Sequence, residues 1–158
     1  MPSKAAVIPH ADPDLEARLP DEVDGKSLTK LSVDPSSQDD FPGAKSMIEV
    51  AKEIGNGTGD FGLAYAGDPD ATFNLFALHV PGADPSKLAT EFAQITYAET
   101  FGGKVESATL NNRPVVHIID PFSEIGDVWF YVDDTTETLL GVQAKTAAKA
   151  SALMALIR

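Results

Sequence analysis

The 158-residue chain contains no cysteine. That excludes disulfides, thiol catalysis, iron–sulfur clusters and cysteine-ligated zinc together. Histidine is scarce, with three residues, and tryptophan occurs once. Acid–base chemistry near neutral pH therefore has few side chains to draw on. Positive charge is short as well: 12 Lys and Arg against 24 Asp and Glu give a formal net charge of −12. Such a chain repels phosphate backbones and anionic headgroups, which argues against nucleic-acid and membrane-surface binding. No apolar run approaches the ~20 residues of a membrane-spanning helix. The opening Met1-Pro2-Ser3-Lys4-Ala5-Ala6-Val7-Ile8-Pro9 lacks the apolar core of a secretory signal. As written, the chain is expected in the cytoplasm; the alternative is an extracytoplasmic mature domain whose signal peptide is missing from it.

What is present is ordinary globular usage, with 43% hydrophobic and 23% charged residues. The length fits one domain, and a domain of this size buries roughly 70% of its unfolded surface. Residues 1–24, with prolines at 2, 9, 13 and 20, read as a polar, mostly flexible leader with at most a short helical turn around Leu15–Leu19. Residues 25–158 read as a single α+β domain.

Within it, Leu28–Val33 gives a partial strand and residues 34–43 a loop, followed by a helix over Ala44–Ile54. Strands are expected at Phe61–Ala66 and Phe73–Val80, the second apolar on both faces and so central. Asp84-Pro85 opens a helix whose stripe is Leu88, Phe92, Ile95 and Ala98. Lys104–Leu110 and Val115–Ile119 form a hairpin about Asn111-Asn112, with full pairing expected only after Pro114. Val128–Val132 pairs with Thr138–Val142, and Thr146–Ile157 is a final helix. The expected order is β-αββ-αββ-ββα: a layered sandwich with a largely antiparallel sheet and two or three helices.

Alternation at 128–132 sends Val128, Phe130 and Val132 to one face, and Trp129 and Tyr131 to the other. Tyr65 is a candidate to join the second set. That face either carries a second layer (a helix, the leader or a second copy of the chain) or serves as a binding platform. His79 and His117 stand near the ends of two strands, where a proton-transfer site would need them close together or beside a carboxylate such as Asp120 or Glu106.

Other motifs match letters but not chemistry. Gly57–Gly62 spells G-x-G-x-x-G, but it follows a helix and precedes a strand, the reverse of a dinucleotide loop. Ser27-Leu28-Thr29-Lys30 lies in a strand, where the nucleophile and lysine of an S-x-x-K site would face apart. Asn56, Thr58 and Asp60 begin a calcium-loop spacing that Phe61 breaks. Acidic pairs at 39–40, 68–70 and 133–134 read as solvated turns. No cofactor or metal site is expected.

Several short stretches carry a resemblance. Leu19-Pro20-Asp21-Glu22-Val23, Val80-Pro81-Gly82-Ala83-Asp84, Gly103-Lys104-Val105, Asn112-Arg113-Pro114-Val115 and Ile119-Asp120-Pro121 occur in that order before a Val128–Val132 strand and an Ala/Leu helix. In this the chain resembles a group of uncharacterised bacterial α+β domains, many of which follow a signal peptide or lipoprotein leader. The resemblance implies one domain and carries no activity or functional residue. The functional expectation is a non-catalytic binding or protein-interaction domain using an aromatic sheet face formed by Trp129, Tyr131 and Tyr65, with His79 and His117 nearby. A protein, a small molecule or a second copy are its candidate partners. The alternative is a small hydrolase- or lyase-type enzyme that uses His79 or His117 with a carboxylate.

Overall fold

Period-two alternation and turn residues place most strands close to where the sequence expects them. The computed structural model describes residues 8–37, 44–98, 100 and 102–158. In chain order it contains α1 (Pro13–Glu16), β1 (Glu22–Val23), β2 (Lys26–Ser27), β3 (Thr29–Val33), a 3-10 turn (Pro35–Ser37), α2 (Ala44–Ile54), β4 (Gly62–Gly67), β5 (Asn74–His79), α3 (Pro85–Ala98), β6 (Lys104–Leu110), β7 (Arg113–Ile119), β8 (Asp127–Asp133), β9 (Thr138–Ala144) and α4 (Ala147–Met154). The acidic pair Asp39-Asp40 lies outside the described residues. No described helix is long and apolar enough to cross a membrane.

The fold is α+β. Seven strands make one antiparallel sheet in the order β3-β4-β5-β9-β8-β7-β6, and β1-β2 is a separate ribbon. Two meanders, β3 to β5 and β6 to β9, therefore meet along a seam between β5 and β9. The expected order omits α1 and the ribbon at the start of the chain. Pairing in the β6–β7 hairpin also begins earlier than expected, at Leu110↔Arg113, with Thr109 opposite Pro114. The turn Asn111-Asn112 has φ of 52° and 61°, the geometry that suits a two-residue hairpin. Next to that turn, Pro114 takes a non-hydrogen-bonded site of the hairpin ladder. Its missing N–H would point toward β8, which pairs only with residues 116–118.

Each face of the sheet carries a layer. Register places Leu63, Tyr65, Phe76, Leu78, Val128, Phe130 and Leu139 on one face, beneath α2 and α3. Ala64, Ala66, Leu75, Ala77, Trp129, Leu140 and Val142 occupy the other face, beneath α1, α4 and the ribbon. The prolines of the leader limit it to one helical turn, capped by Asp12, whose carboxylate accepts the Leu15 N–H at 3.0 Å. Between them sit apolar residues spaced to reach the sheet, and Leu15, Leu19 and Val23 are buried there. Within residues 8–24 the segment expected to be flexible is thus docked on the sheet through Leu15, Leu19 and Val23. His10 pairs with Ser32 in an isolated bridge, and Arg18 accepts the Arg158 N–H through its carbonyl at 2.8 Å.

A candidate binding cavity between two helices and the sheet

On the α2/α3 face the helices stand apart from the sheet and leave a cavity of about 520 Å³. The amphipathic stripe of α2 turns Met47 and Val50 toward it, and α3 turns Phe92, Ile95 and Thr96. Phe61, Leu63, Tyr65, Phe76, Ile118 and Val128 complete its apolar wall and floor. A volume of this size lies within the range of small-molecule sites, which are mostly apolar with a few convergent polar groups.

Aromatic rings hold the layers apart. Tyr65 tilts against Phe76 at 6.3 Å between centroids, Phe76 stacks on Phe92 at 5.3 Å, and Phe92 meets Phe130 edge-on at 4.9 Å. Gly141 makes room for this cluster from β9. A Cβ there would come within 2.3 Å of the Phe76 ring and 2.9 Å of the Phe130 Cβ. The consequence appears in the helices: Met47, Val50, Phe92 and Ile95, apolar and on the inner stripe, are only partly buried.

One end of the cavity is polar. Asn74 and Gln143 are cross-strand partners on the seam, and Asn74 Nδ2 donates to Gln143 Oε1 at 3.0 Å. Gln143 Nε2 donates in turn to Ser123 Oγ at 3.2 Å and to the Gly126 carbonyl at 3.1 Å. Asp120 lines the same cavity from the loop between β7 and β8, and Thr96, Thr100 and Ser46 add hydroxyls. Sequence reasoning took these apolar residues for core. The available signal was Asn74 and Gln143, two amides at core-facing positions of otherwise apolar strands.

The residues singled out from the sequence divide between the faces. Tyr65 lines the cavity, on the face opposite Trp129, because β4 and β8 register through Phe76 and Gly141 to Phe130. Trp129 is only 3% exposed, within the cluster covered by α1 and α4. Of the two readings of its face, the observed arrangement has a second layer supplied by the leader and the final helix. Tyr131 lies at the margin of that face, with the Arg113 guanidinium 3.9 Å above its ring.

His117 stacks on Trp129, with ring centroids 4.4 Å apart and planes 10° from parallel. Its Nε2 is 2.8 Å from Asp127 Oδ2 and its Nδ1 is 3.3 Å from Glu106 Oε1, so each ring nitrogen faces a carboxylate. Asp127 also accepts the Asp120 N–H at 3.0 Å, which ties the β7–β8 loop down. His79 instead neighbours Thr138, with Nδ1 and Oγ1 3.4 Å apart. Two strands separate β5 from β7, and register sets His117 level with Leu75, four residues from His79, which puts the histidines roughly 20 Å apart at ~4.8 Å per strand and ~3.4 Å per residue. The structure brings His117 together with Glu106, and not with His79. Neither histidine lines the cavity.

The glycine-rich segment is a turn between α2 and β4. Gly57 and Gly59 have φ of 85° and 78°, and Asn56 Oδ1 accepts the Thr58 N–H and hydroxyl. Among the described residues, no group of three or more His, Asp and Glu side chains is arranged to hold a metal ion. Compared with known protein families, curated proteins and solved structures, the chain matches none.

Proposed function

We propose that the protein is a non-catalytic binding domain that holds a small apolar or amphiphilic molecule in the α2–α3 cavity. The observation that carries this reading is the partly exposed inner stripe of both helices over an aromatic sheet face. Apolar side chains that could close on the sheet gain about 25 cal/mol per Å² by doing so. A cavity maintained by stacked rings therefore gives up stability that a ligand would return. On this reading the aromatic face that binds is that of Tyr65, Phe76 and Phe92, and of the residues expected from the sequence it keeps Tyr65 but not Trp129 or Tyr131.

The test is saturable binding of 1-aminoanthracene, an uncharged apolar dye, followed by its fluorescence. The protein is expected to bind it at micromolar concentration. Val50→Phe, which fills the cavity from α2, should abolish binding while shifting the melting temperature by only a few degrees. Absence of saturable binding, or undiminished binding to a folded Val50→Phe protein, would overturn the reading.

A further inference from the structure

We infer that the cavity selects its ligand by charge and takes amphiphiles with a cationic head, an alkylammonium, with Asp120 as the counter-charge. The inference rests on the binding reading above and deepens it. Among the described lining residues, Asp120 is the single charged side chain; no Lys, Arg or His is present. Asp120 follows Ile118 by two positions at the end of β7, so alternation carries it to the same face, at the polar end of the cavity.

Its loop holds it in place. The Asp120 N–H donates to Asp127 Oδ1 at 3.0 Å, and Asp120 Oδ1 accepts the Phe122 N–H at 3.3 Å. The second carboxylate oxygen has no partner among the described residues. The amides nearby are largely engaged with one another: Asn74 gives its Nδ2 to Gln143, and Gln143 gives its Nε2 to Ser123 and Gly126. What remains toward a ligand is the Asp120 carboxylate, the Thr100 hydroxyl oxygen, whose proton goes to the Tyr97 carbonyl, and the Ser46 and Thr96 hydroxyls, which accept as well as donate. An ammonium group offers three donors and no acceptor, and so complements that set.

A carboxylate or phosphate head would lose water without gaining a cation, and would meet the Asp120 charge as well. The net charge of −12 raises the local concentration of cationic amphiphiles and lowers that of anionic ones.

The experiment is calorimetric titration of the whole protein with decylammonium, decanol and decanoate, each below its micelle concentration, at neutral pH and low salt. The expected ranking is ammonium, then alcohol, then carboxylate. Ammonium should exceed carboxylate by about tenfold, the scale of one partly screened charge pair. Asp120→Asn keeps an acceptor for the Phe122 N–H and should bring the three affinities to within about threefold. In the unaltered protein, rising salt should narrow the same gap. If all three ligands bind equally, or decanoate binds best, charge selection is overturned while the binding reading stands. If Asp120→Asn keeps the full preference, the assignment to Asp120 is wrong. If none of the three binds and 1-aminoanthracene also fails, both readings fall.

Discussion

The two faces of the sheet are made from alternate residues of the same strands, yet they are packed by opposite strategies. On the α1/α4 face, small residues at Ala64, Ala66 and Ala77 let a one-turn helix, a two-stranded ribbon and a short helix settle directly on the sheet. Leu19, Ala150 and Leu153 are at most 1% exposed there. On the α2/α3 face the helices are longer, α3 rests through Phe92 on Phe76 and Phe130, and space is left between helices and sheet. The difference teaches that helix length does not decide how well a face is closed. The rings that stand between helix and sheet do. One face functions as a keel and the other as a receptacle.

The closed face also buries a polar junction of its own. Glu16 is 7% exposed and Ser32 fully buried. Ser32 Oγ donates to Glu16 Oε2 at 2.6 Å and accepts the Asp12 N–H at 2.8 Å, while His10 Nδ1 lies 2.8 Å from Glu16 Oε1. Lys30 donates to the Glu16 and Leu19 carbonyls and lies 2.6 Å from Asp21 Oδ1. These bonds fix the leader to β3, and they satisfy the backbone of a segment too short to satisfy itself.

Substitutions can break or sharpen this contrast. Trp129→Ala should have the largest effect, lowering stability by about 3–5 kcal/mol through the cavity it leaves on the closed face. Thermal unfolding should show the loss, and the folded fraction should still bind 1-aminoanthracene. A melting temperature close to that of the unaltered protein would show Trp129 to be outside the core and dissolve the distinction between the faces.

Ser32→Ala comes next, at about 1–3 kcal/mol, because it strands Glu16 Oε2 and the Asp12 N–H in a buried place. Denaturant titration measures this. A neutral result would mean that water enters the junction between leader and sheet.

Asp133 offers a smaller, pH-resolved test at the end of β8. The Thr135 hydroxyl and N–H, the Thr136 hydroxyl and Arg18 hold its carboxyl at about 2, below its ordinary value of 3.8. A carboxyl depressed in the folded state stabilises above its unfolded pKa, and that contribution disappears as pH falls through the folded value. With 27% side-chain exposure, screening limits the effect to about 1 kcal/mol. Asp133→Asn should therefore be less stable than the parent at pH 7, with the gap closing between about pH 4 and pH 2. A gap that persists at pH 2 would assign the loss to packing. Val50→Phe on the open face should change stability least of all, by under about 1 kcal/mol, because it fills existing space.

Much of the fold was legible in the chain. The limits of α2 coincide with the expected Ala44–Ile54, Asp84-Pro85 opens α3 with Asp84 capping Ser86 and Lys87, and Asn111-Asn112 makes its hairpin. These features are local, set by caps, turns and periodicity. The docking of the leader was not legible, because Leu15 and Leu19 are buried by strands far away in sequence. The candidate site was half legible. Alternation put Phe130 and Trp129 on opposite faces, but both faces are covered, and nothing in periodicity says which cover fits closely. A partly exposed Phe92 and a buried Leu88 look alike in a helical stripe.

The seam between β5 and β9 joins residues 59 to 69 positions apart, from His79 with Thr138 to Asn74 with Gln143. Each meander pairs strands that are consecutive in the chain, whereas the seam must close a longer loop, and such contacts are slow to assemble. Asn74 and Gln143 also make the polar end of the cavity. The receptacle is consequently complete only when both meanders are paired, and neither half of the chain contains it alone. Occupancy of the site would report that the two halves have met.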